Sequence, residues 1–204
     1  MLFDDTYRTI EKTSEGLFRD RGSKFLAFAY PLTSETEIKN YVVGLKAEHP
    51  KANHHCWAMR LTIDRSVFRV NDDGEPSGTA GRPILNTLLS HDITNVLVVV
   101  VRYFGGTLLG VPGLINAYKM ATEEALKQAT IVQKTVNDFY AIEFDYLLMN
   151  DVMRVIKDDA LTVISQDFDN NCSIRVSIRK MQVNQTLAKF NKLSGITARY
   201  LYSL

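Results

Sequence analysis

Residues 95–103 read NVLVVVVRY, with apolar side chains at six consecutive positions. Successive side chains of a strand point to opposite faces of a sheet, so a strand that is apolar at every position is covered on both faces. The run is far shorter than the roughly 20 apolar residues that a membrane-spanning helix needs. We therefore expect a central strand with packed elements on both sides, in a soluble protein of the α+β class.

Two glycine-rich loops flank this strand along the chain. The first reads DDGEPSGTAGRP at residues 72–83, and the second reads GGTLLGVPG at residues 105–113. Each leads into apolar positions at helical spacing, and the first N–H groups of a helix lack partners and attract anions. Glycines also serve turns and close packing, so both loops have a purely structural interpretation as well.

Candidate anion-binding residues lie in and beside the two loops. Arg82 falls in the first turn of a predicted helix, and Arg102 closes the apolar strand, so both are candidates to bind a phosphate or carboxylate. Tyr103 and Phe104 offer rings for contact with a base or a sugar. The full predicted set is Gly78, Thr79, Gly81, Arg82, Arg102, Tyr103, Phe104, Gly105 and Gly106.

Acidic residues in the first loop suggest a different chemistry. Asp72, Asp73 and Glu75 are candidates to hold Mg²⁺ through water molecules, with His54 as an acid or base beside them. The same carboxylates are typical caps of turns and helix ends, and the sequence leaves this choice and the metal open. Val111-Pro112 stands where a P-loop needs Lys and Ser or Thr, so the sequence does not fit a nucleotide hydrolase, and we expect no cofactor.

The pattern of elements restarts after Lys134, which predicts two domains at residues 1–134 and 135–204. Between residues 139 and 202 the predicted order is βαββαβ, the ferredoxin-like arrangement, with Asp169-Asn170-Asn171 as the turn between its middle strands. Along residues 172–179 apolar side chains alternate with Ser and Arg, so that strand offers no aromatic ring to an RNA base on its open face.

Composition limits the classes of partner. Lys and Arg total 24 against 23 Asp and Glu, a formal charge of +1, so nucleic-acid binding would need a local patch rather than bulk charge. Cys56 and Cys172 are expected to be reduced and buried. The first residues carry no signal-peptide pattern, so we predict a cytoplasmic protein without membrane association.

The first glycine loop continues into Ile84-Leu85 and is followed in order by residues 95–106 and by Leu109-Gly110. Together these motifs resemble the signature of the YigZ/IMPACT family, and the chain is similar to its bacterial two-domain members. The resemblance is dense over the first predicted domain and mainly architectural over the second. Asn116 stands where the family usually carries an Arg, which weakens any anion site that depends on that residue.

The resemblance implies a first domain similar to domain IV of elongation factor G and to RNase PH, and a second similar to domain V of that factor. Eukaryotic members of the family are regulators of translation that compete for the activator protein of an amino-acid-starvation kinase. We accordingly predict a non-catalytic, translation-associated regulator that binds RNA or ribosomal phosphates at the glycine loops. Two alternatives stay open: a metal-dependent enzyme on a small phosphorylated or carboxylated ligand, and an interaction module with a regulatory protein partner in stress-linked translation control.

Overall fold

The computed structural model describes residues 5–62, 66–168 and 172–204; the predicted turn Asp169-Asn170-Asn171 lies outside them. The strands are Thr6–Ile10 (β1), Ser14–Asp20 (β2), Ser23–Pro31 (β3), His54–Leu61 (β4), Val67–Asn71 (β5), Val96–Tyr103 (β6), Ile131–Thr135 (β7), Asn137–Phe144 (β8), Thr162–Asp167 (β9), Cys172–Arg179 (β10) and Thr197–Ser203 (β11). The helices are Ile38–Glu48 (α1), Gly81–Ser90 (α2), Gly110–Gln128 (α3), Met149–Asp158 (α4) and Val183–Asn191 (α5).

The protein is a mixed α/β structure with antiparallel sheets, and its chain divides into two compact units. One unit comprises residues 7–134. The other comprises residues 135–204 together with Asp5 and Thr6, so it is discontinuous in sequence. Strands β1 and β7 pair in a small two-stranded sheet.

The unit of residues 7–134 is built on a five-stranded sheet in the order β2-β3-β6-β4-β5. The strand β6 lies in the middle, and Val96 to Val101 have no exposed surface. Its side chains alternate between two cores: Val98 and Val100 pack with α2 and α3, whereas Leu97 and Val99 pack with α1. The apolar run therefore forms the central strand between two helical layers, as its pattern predicts.

Local sequence explains how helices join this sheet. The hydroxyl of Ser34 and the carboxylate of Glu37 form a capping box just before α1, as their spacing predicts. The helix α3 approaches β2 so closely that a Cβ atom at Gly16 would lie 2.2 Å from the backbone nitrogen of Ala125. Only glycine allows this distance, because it has no Cβ atom.

The second unit has a four-stranded antiparallel sheet in the order β11-β8-β10-β9, with elements following one another as βαββαβ. The helices α4 and α5 cover one face, where their apolar side chains pack on β8 and β10. On the other face the rings of Phe139 and Tyr202 stack with centroids 4.6 Å apart. Aromatic residues on this face come from β8 and β11, although β10 itself carries none.

Asp5 is fully buried within this second unit. Its carboxylate accepts hydrogen bonds from Nε and Nη2 of Arg179 at 2.9 and 2.8 Å and from the backbone N–H of Met181. The hydrogen bonds from Arg179 are the main reason why the pKa of Asp5 lies below its ordinary value.

Among the described residues, no helix combines the length and the apolar character that crossing a membrane requires.

Candidate functional site

The first glycine loop folds around the carboxylate of Asp72. Its Oδ2 accepts the N–H of Gly78 at 2.8 Å, and its Oδ1 accepts the N–H groups of Ala80 and Gly81 at 3.1 and 2.8 Å. Asp72 thus caps the start of α2 across nine positions of sequence. The backbone donors that the sequence suggested for a bound anion are occupied by the protein's own carboxylate.

Thr79 is likewise committed to the loop. Both its backbone N–H and its hydroxyl donate to the carbonyl oxygen of Pro76, at 3.0 and 2.6 Å. The backbone N–H groups of Gly78, Thr79 and Gly81, which the sequence suggests as anion contacts, thus each have an internal acceptor in the structure.

Arg102 is a buried cation. It is 5% exposed, and its Nη1 donates to Oε1 of Glu75 at 2.5 Å. A buried charge requires a partner of opposite charge, and Glu75 supplies it. The pair carries no net charge, so Arg102 adds none to an anion-binding surface.

The same oxygen of Glu75 links this ion pair to a buried network. It accepts a hydrogen bond from the hydroxyl of Tyr118 at 2.8 Å, and that hydroxyl lies 3.3 Å from Sγ of Cys56. Burial raises the pKa of the Tyr118 hydroxyl and of the Cys56 thiol well above their ordinary values, so both stay protonated at neutral pH. Cys56 is therefore a buried, reduced packing residue, as expected.

A pocket of about 470 Å³ opens beside this network, and we call it the Arg102 pocket. Polar side chains of Asn53, His54, Glu75 and Arg102 line one part of it. Its apolar part is lined mainly by Phe104, Leu108, Leu109, Val111 and Leu114. The start of β4, the first glycine loop and the end of β6 thus place four residues of the predicted candidate sets in one cavity, namely His54, Glu75, Arg102 and Phe104.

His54 has a defined orientation in the Arg102 pocket. Its Nδ1 lies 2.9 Å from the carbonyl oxygen of Asp73, which can only accept, so Nδ1 carries the hydrogen. Its Nε2 lies 3.9 Å from Oε1 of Glu75.

The three carboxylates of the first loop do not converge on one point. Asp72 caps α2, whereas Asp73 accepts the N–H of His55 at 2.7 Å and pairs with Lys46 at 3.1 Å. Glu75 binds Arg102, as described above. Across residues 5–62, 66–168 and 172–204, no group of three or more His, Cys, Asp or Glu side chains is arranged to hold a metal ion. The cluster of Asp72, Asp73, Glu75 and His54 is thus divided among separate structural roles.

The glycines of the second loop serve close packing at some positions and a positive φ at others. A Cβ atom at Gly105 would lie 1.9 Å from the backbone carbon of Gly22, and the N–H of Gly105 donates to the hydroxyl of Ser23. Gly106 has a φ of +87° with open space around it. Tyr103 points to the α1 face of the sheet, where its hydroxyl lies 2.9 Å from Nδ1 of His49, and so it does not share a site with Arg102.

A second concave surface contains Arg82. This groove of about 370 Å³ lies between α2 and α3 and is lined by residues that include Gly78, Arg82, Asn86, Ser90, Ile115 and Lys119. Arg82 and Lys119 are exposed, and neither forms an ion pair or hydrogen bond with any residue that the structure describes. We call it the Arg82–Lys119 groove.

Six of the predicted residues line these two cavities: His54, Glu75, Arg102 and Phe104 line the Arg102 pocket, and Gly78 and Arg82 line the Arg82–Lys119 groove. The other predicted residues line neither cavity, and each cavity also contains residues that were not predicted. Sequence reasoning missed Asn53 in the Arg102 pocket and Lys119 in the groove. Lys119 carries a signal that could have found it, since it follows Ile115 by one helical turn. Asn53 carries no such signal, because it is the pairing of β4 with β6 that brings it beside Phe104 at the pocket.

Comparisons with known proteins agree with the sequence motifs. The family model of the Impact N-terminal domain matches residues 21–126. The chain is 32% identical over 174 residues to the IMPACT family member YigZ of Escherichia coli (strain K12), covering 84% of this chain and 85% of that protein. It is 35% identical over 120 residues to the Protein IMPACT homolog of Saccharomyces cerevisiae, covering 57% of this chain and 46% of that protein.

A solved structure is similar over the full length of the chain. It is a crystal structure of a hypothetical protein, 27% identical in sequence, and it superposes with a TM-score of 0.71 over 98% of this chain and 99% of the other.

Proposed function

The chain belongs to the IMPACT family, and from this premise we propose that it is a non-catalytic regulator of translation that binds RNA or ribosomal phosphates. The translational role is supported by its resemblance to family members that regulate translation. A cytoplasmic location, and a similarity of its units to domains IV and V of elongation factor G, belong to the same proposal.

The observation that carries the phosphate site is the uncompensated charge of the Arg82–Lys119 groove. Two cations line one concave surface without an acidic partner among the described residues. Phosphate contacts from Arg and Lys supply most of the non-specific affinity for nucleic acid. The site thus differs from the predicted one: it uses the side chains of Arg82 and Lys119 in place of loop N–H groups and Arg102.

The proposal is tested by measuring binding of the purified protein to bulk tRNA, rRNA and ribosomes over a salt series. The double variant Arg82→Ala/Lys119→Ala is compared with the wild type. Each lost phosphate contact should reduce the slope of log affinity against log salt by about 0.7 for single strands and about 0.9 for duplexes. The loss should be alike for all RNA sequences, because phosphates carry no sequence information.

A matched control removes the same charges elsewhere. Arg19 is exposed on β2, Lys12 is exposed just before that strand, and neither residue lines the groove. Arg19→Ala/Lys12→Ala should leave the salt slope unchanged. Equal slopes for both double variants and the wild type would exclude the groove as the phosphate site, and absence of RNA binding at low salt would exclude the function.

A further inference from the structure

We propose that the Arg102 pocket binds a nucleobase, that is, a planar heterocycle with a hydrogen-bond donor beside an acceptor. The base is taken either from RNA, in which case the inference deepens the proposed function, or from a free nucleoside. No phosphate or metal takes part in this site, and it is distinct from the Arg82–Lys119 groove.

The polar part of the pocket is electrically neutral but rich in hydrogen-bonding groups. Arg102 and Glu75 compensate each other, with side chains only 6% and 3% exposed. An anion would have to compete with Glu75 for the guanidinium, and Glu75 is also held by Tyr118. A neutral ligand keeps the ion pair intact and meets an N–H donor and a carboxylate acceptor side by side.

Several polar groups at this pocket are not satisfied by the protein itself. Nε of Arg102 is buried and has no hydrogen-bond partner among the described residues, although buried polar groups ordinarily have one. The Oδ1 atom of Asn53 accepts the N–H of Phe104 at 2.8 Å, which leaves the amide NH₂ as a donor. With the carboxylate of Glu75 as an acceptor, the pocket presents both kinds of group to the edge of a heterocycle.

The apolar part of the pocket suits the flat face of such a ring. Phe104 is 45% exposed, with its ring centroid 5.7 Å from the guanidinium carbon of Arg102. Leu108 and Val111 are also exposed at the same cavity, at 81% and 51%. Aromatic rings stack on bases of every kind, and a volume near 470 Å³ lies within the range of ordinary ligand pockets.

An entirely apolar ligand fits less well. It would cover the ion pair of Arg102 and Glu75 without replacing the hydrogen bonds that water makes with them, which is unfavourable. The pocket combines an exposed aromatic ring and aliphatic side chains with a polar part that carries no net charge. This combination favours binding of a base over binding of a phosphate or a hydrocarbon.

The test uses the whole protein and two kinds of probe. The first is each of the four free ribonucleosides, and the second is a single-stranded RNA oligonucleotide compared with the same oligonucleotide carrying abasic positions. Phe104→Ala should weaken binding of a base by roughly 5- to 150-fold, the usual range for the loss of one stacking contact. Leu108→Ala is a second variant that spares the fold, because Leu108 is 81% exposed.

Phe68→Ala is the matched control. Phe68 is 51% exposed on β5 in the same unit and does not line the pocket, so this variant should bind like the wild type. Nucleoside binding that Phe104→Ala weakens identifies a free nucleoside as a ligand. A preference for intact over abasic RNA that Phe104→Ala abolishes identifies a base within RNA.

The outcomes separate this inference from the proposed function. If intact and abasic RNA bind equally with an unchanged salt slope, and no nucleoside binds, the base pocket is overturned while RNA binding stands. If nucleosides bind but no RNA does, the pocket stands and the proposed function falls. Equal effects of Phe104→Ala and Phe68→Ala on either probe would also overturn the pocket.

Discussion

Single residues show why the chemistry of this chain could be read from its sequence only in part. His54, Glu75, Arg102 and Phe104 all belong to the predicted candidate sets, and the structure brings them to one pocket. Their roles differ from the prediction because Arg102 pairs with Glu75, which lies 27 positions earlier in the chain. Sequence patterns indicate that a cation follows a buried strand, but they do not indicate which distant carboxylate will neutralise it.

Tyr118 offers a test of this buried network. Tyr118→Phe removes the hydroxyl that donates to Glu75 and leaves a buried charged acceptor with one partner fewer. We expect the free energy of unfolding to fall by about 1–3 kcal/mol in urea denaturation followed by Trp57 fluorescence. Tyr7→Phe is the control, because no hydrogen bond of the Tyr7 hydroxyl is found among the described residues, and it should change the free energy by less than about 0.5 kcal/mol. Equal stability of the two variants would contradict the proposed strength of the network.

Elements were predictable where their periodicity was strong. The strand β6 and the helix α3 follow directly from an unbroken apolar run and from apolar residues at helical spacing. The edge strand β2 was missed, because it contains Gly16 and because its two apolar residues, Leu17 and Phe18, are adjacent instead of alternating with polar ones. The order of strands in the sheet depends on contacts between distant segments, which local patterns do not contain.

Two glycines test how the elements pack. At Gly44, within α1, an added Cβ atom would meet no atom within 4 Å, so Gly44→Ala should stabilise the protein by about 0.5–1 kcal/mol through helix propensity. At Gly16 the same change would place Cβ 2.2 Å from the backbone of α3, and we expect a clear loss of stability. Urea denaturation measures both. A loss of stability in Gly44→Ala, or none in Gly16→Ala, would contradict the described packing.

For the whole molecule, a restart of the sequence pattern predicts a boundary near residue 134, but no pattern predicts where the first residues lie. Asp5 belongs to the unit of residues 135–204, where its carboxylate is buried against Arg179. No local pattern links these residues, since 174 positions separate them. A contact of this kind is recognised only from the folded chain.

The contact between Asp5 and Arg179 predicts that the stability of the second unit, and not that of residues 7–134, falls at acid pH. Because the pKa of Asp5 is lowered in the folded state, its contribution is fully present above the ordinary Asp pKa of about 3.9 and is lost as pH falls through the folded value. Asp5→Asn should lower the free energy of unfolding of this unit by about 1–3 kcal/mol at neutral pH. It should also remove the loss of stability that occurs as pH falls through the pKa of Asp5 in the folded protein.

Far-UV circular dichroism between pH 6 and pH 2 measures the effect. Trp57 is the single tryptophan and lies in the unit of residues 7–134, so its fluorescence should be nearly unaffected by Asp5→Asn. Asp158→Asn is the control, because Asp158 is exposed and has no ion pair among the described residues. Acid profiles that coincide for the two variants would contradict the role given to Asp5.

The pairing of Asp5 with Arg179 also imposes an order in time during synthesis. A ribosome adds roughly 5–20 residues per second, so about 9–35 s pass between the addition of Asp5 and that of a partner 174 positions later. Within that interval residues 7–134 are already complete, and they contain two hydrophobic cores of their own. The unit that contains Asp5 can therefore close only after Arg179 has been added, when residues 7–134 already have everything they need to fold.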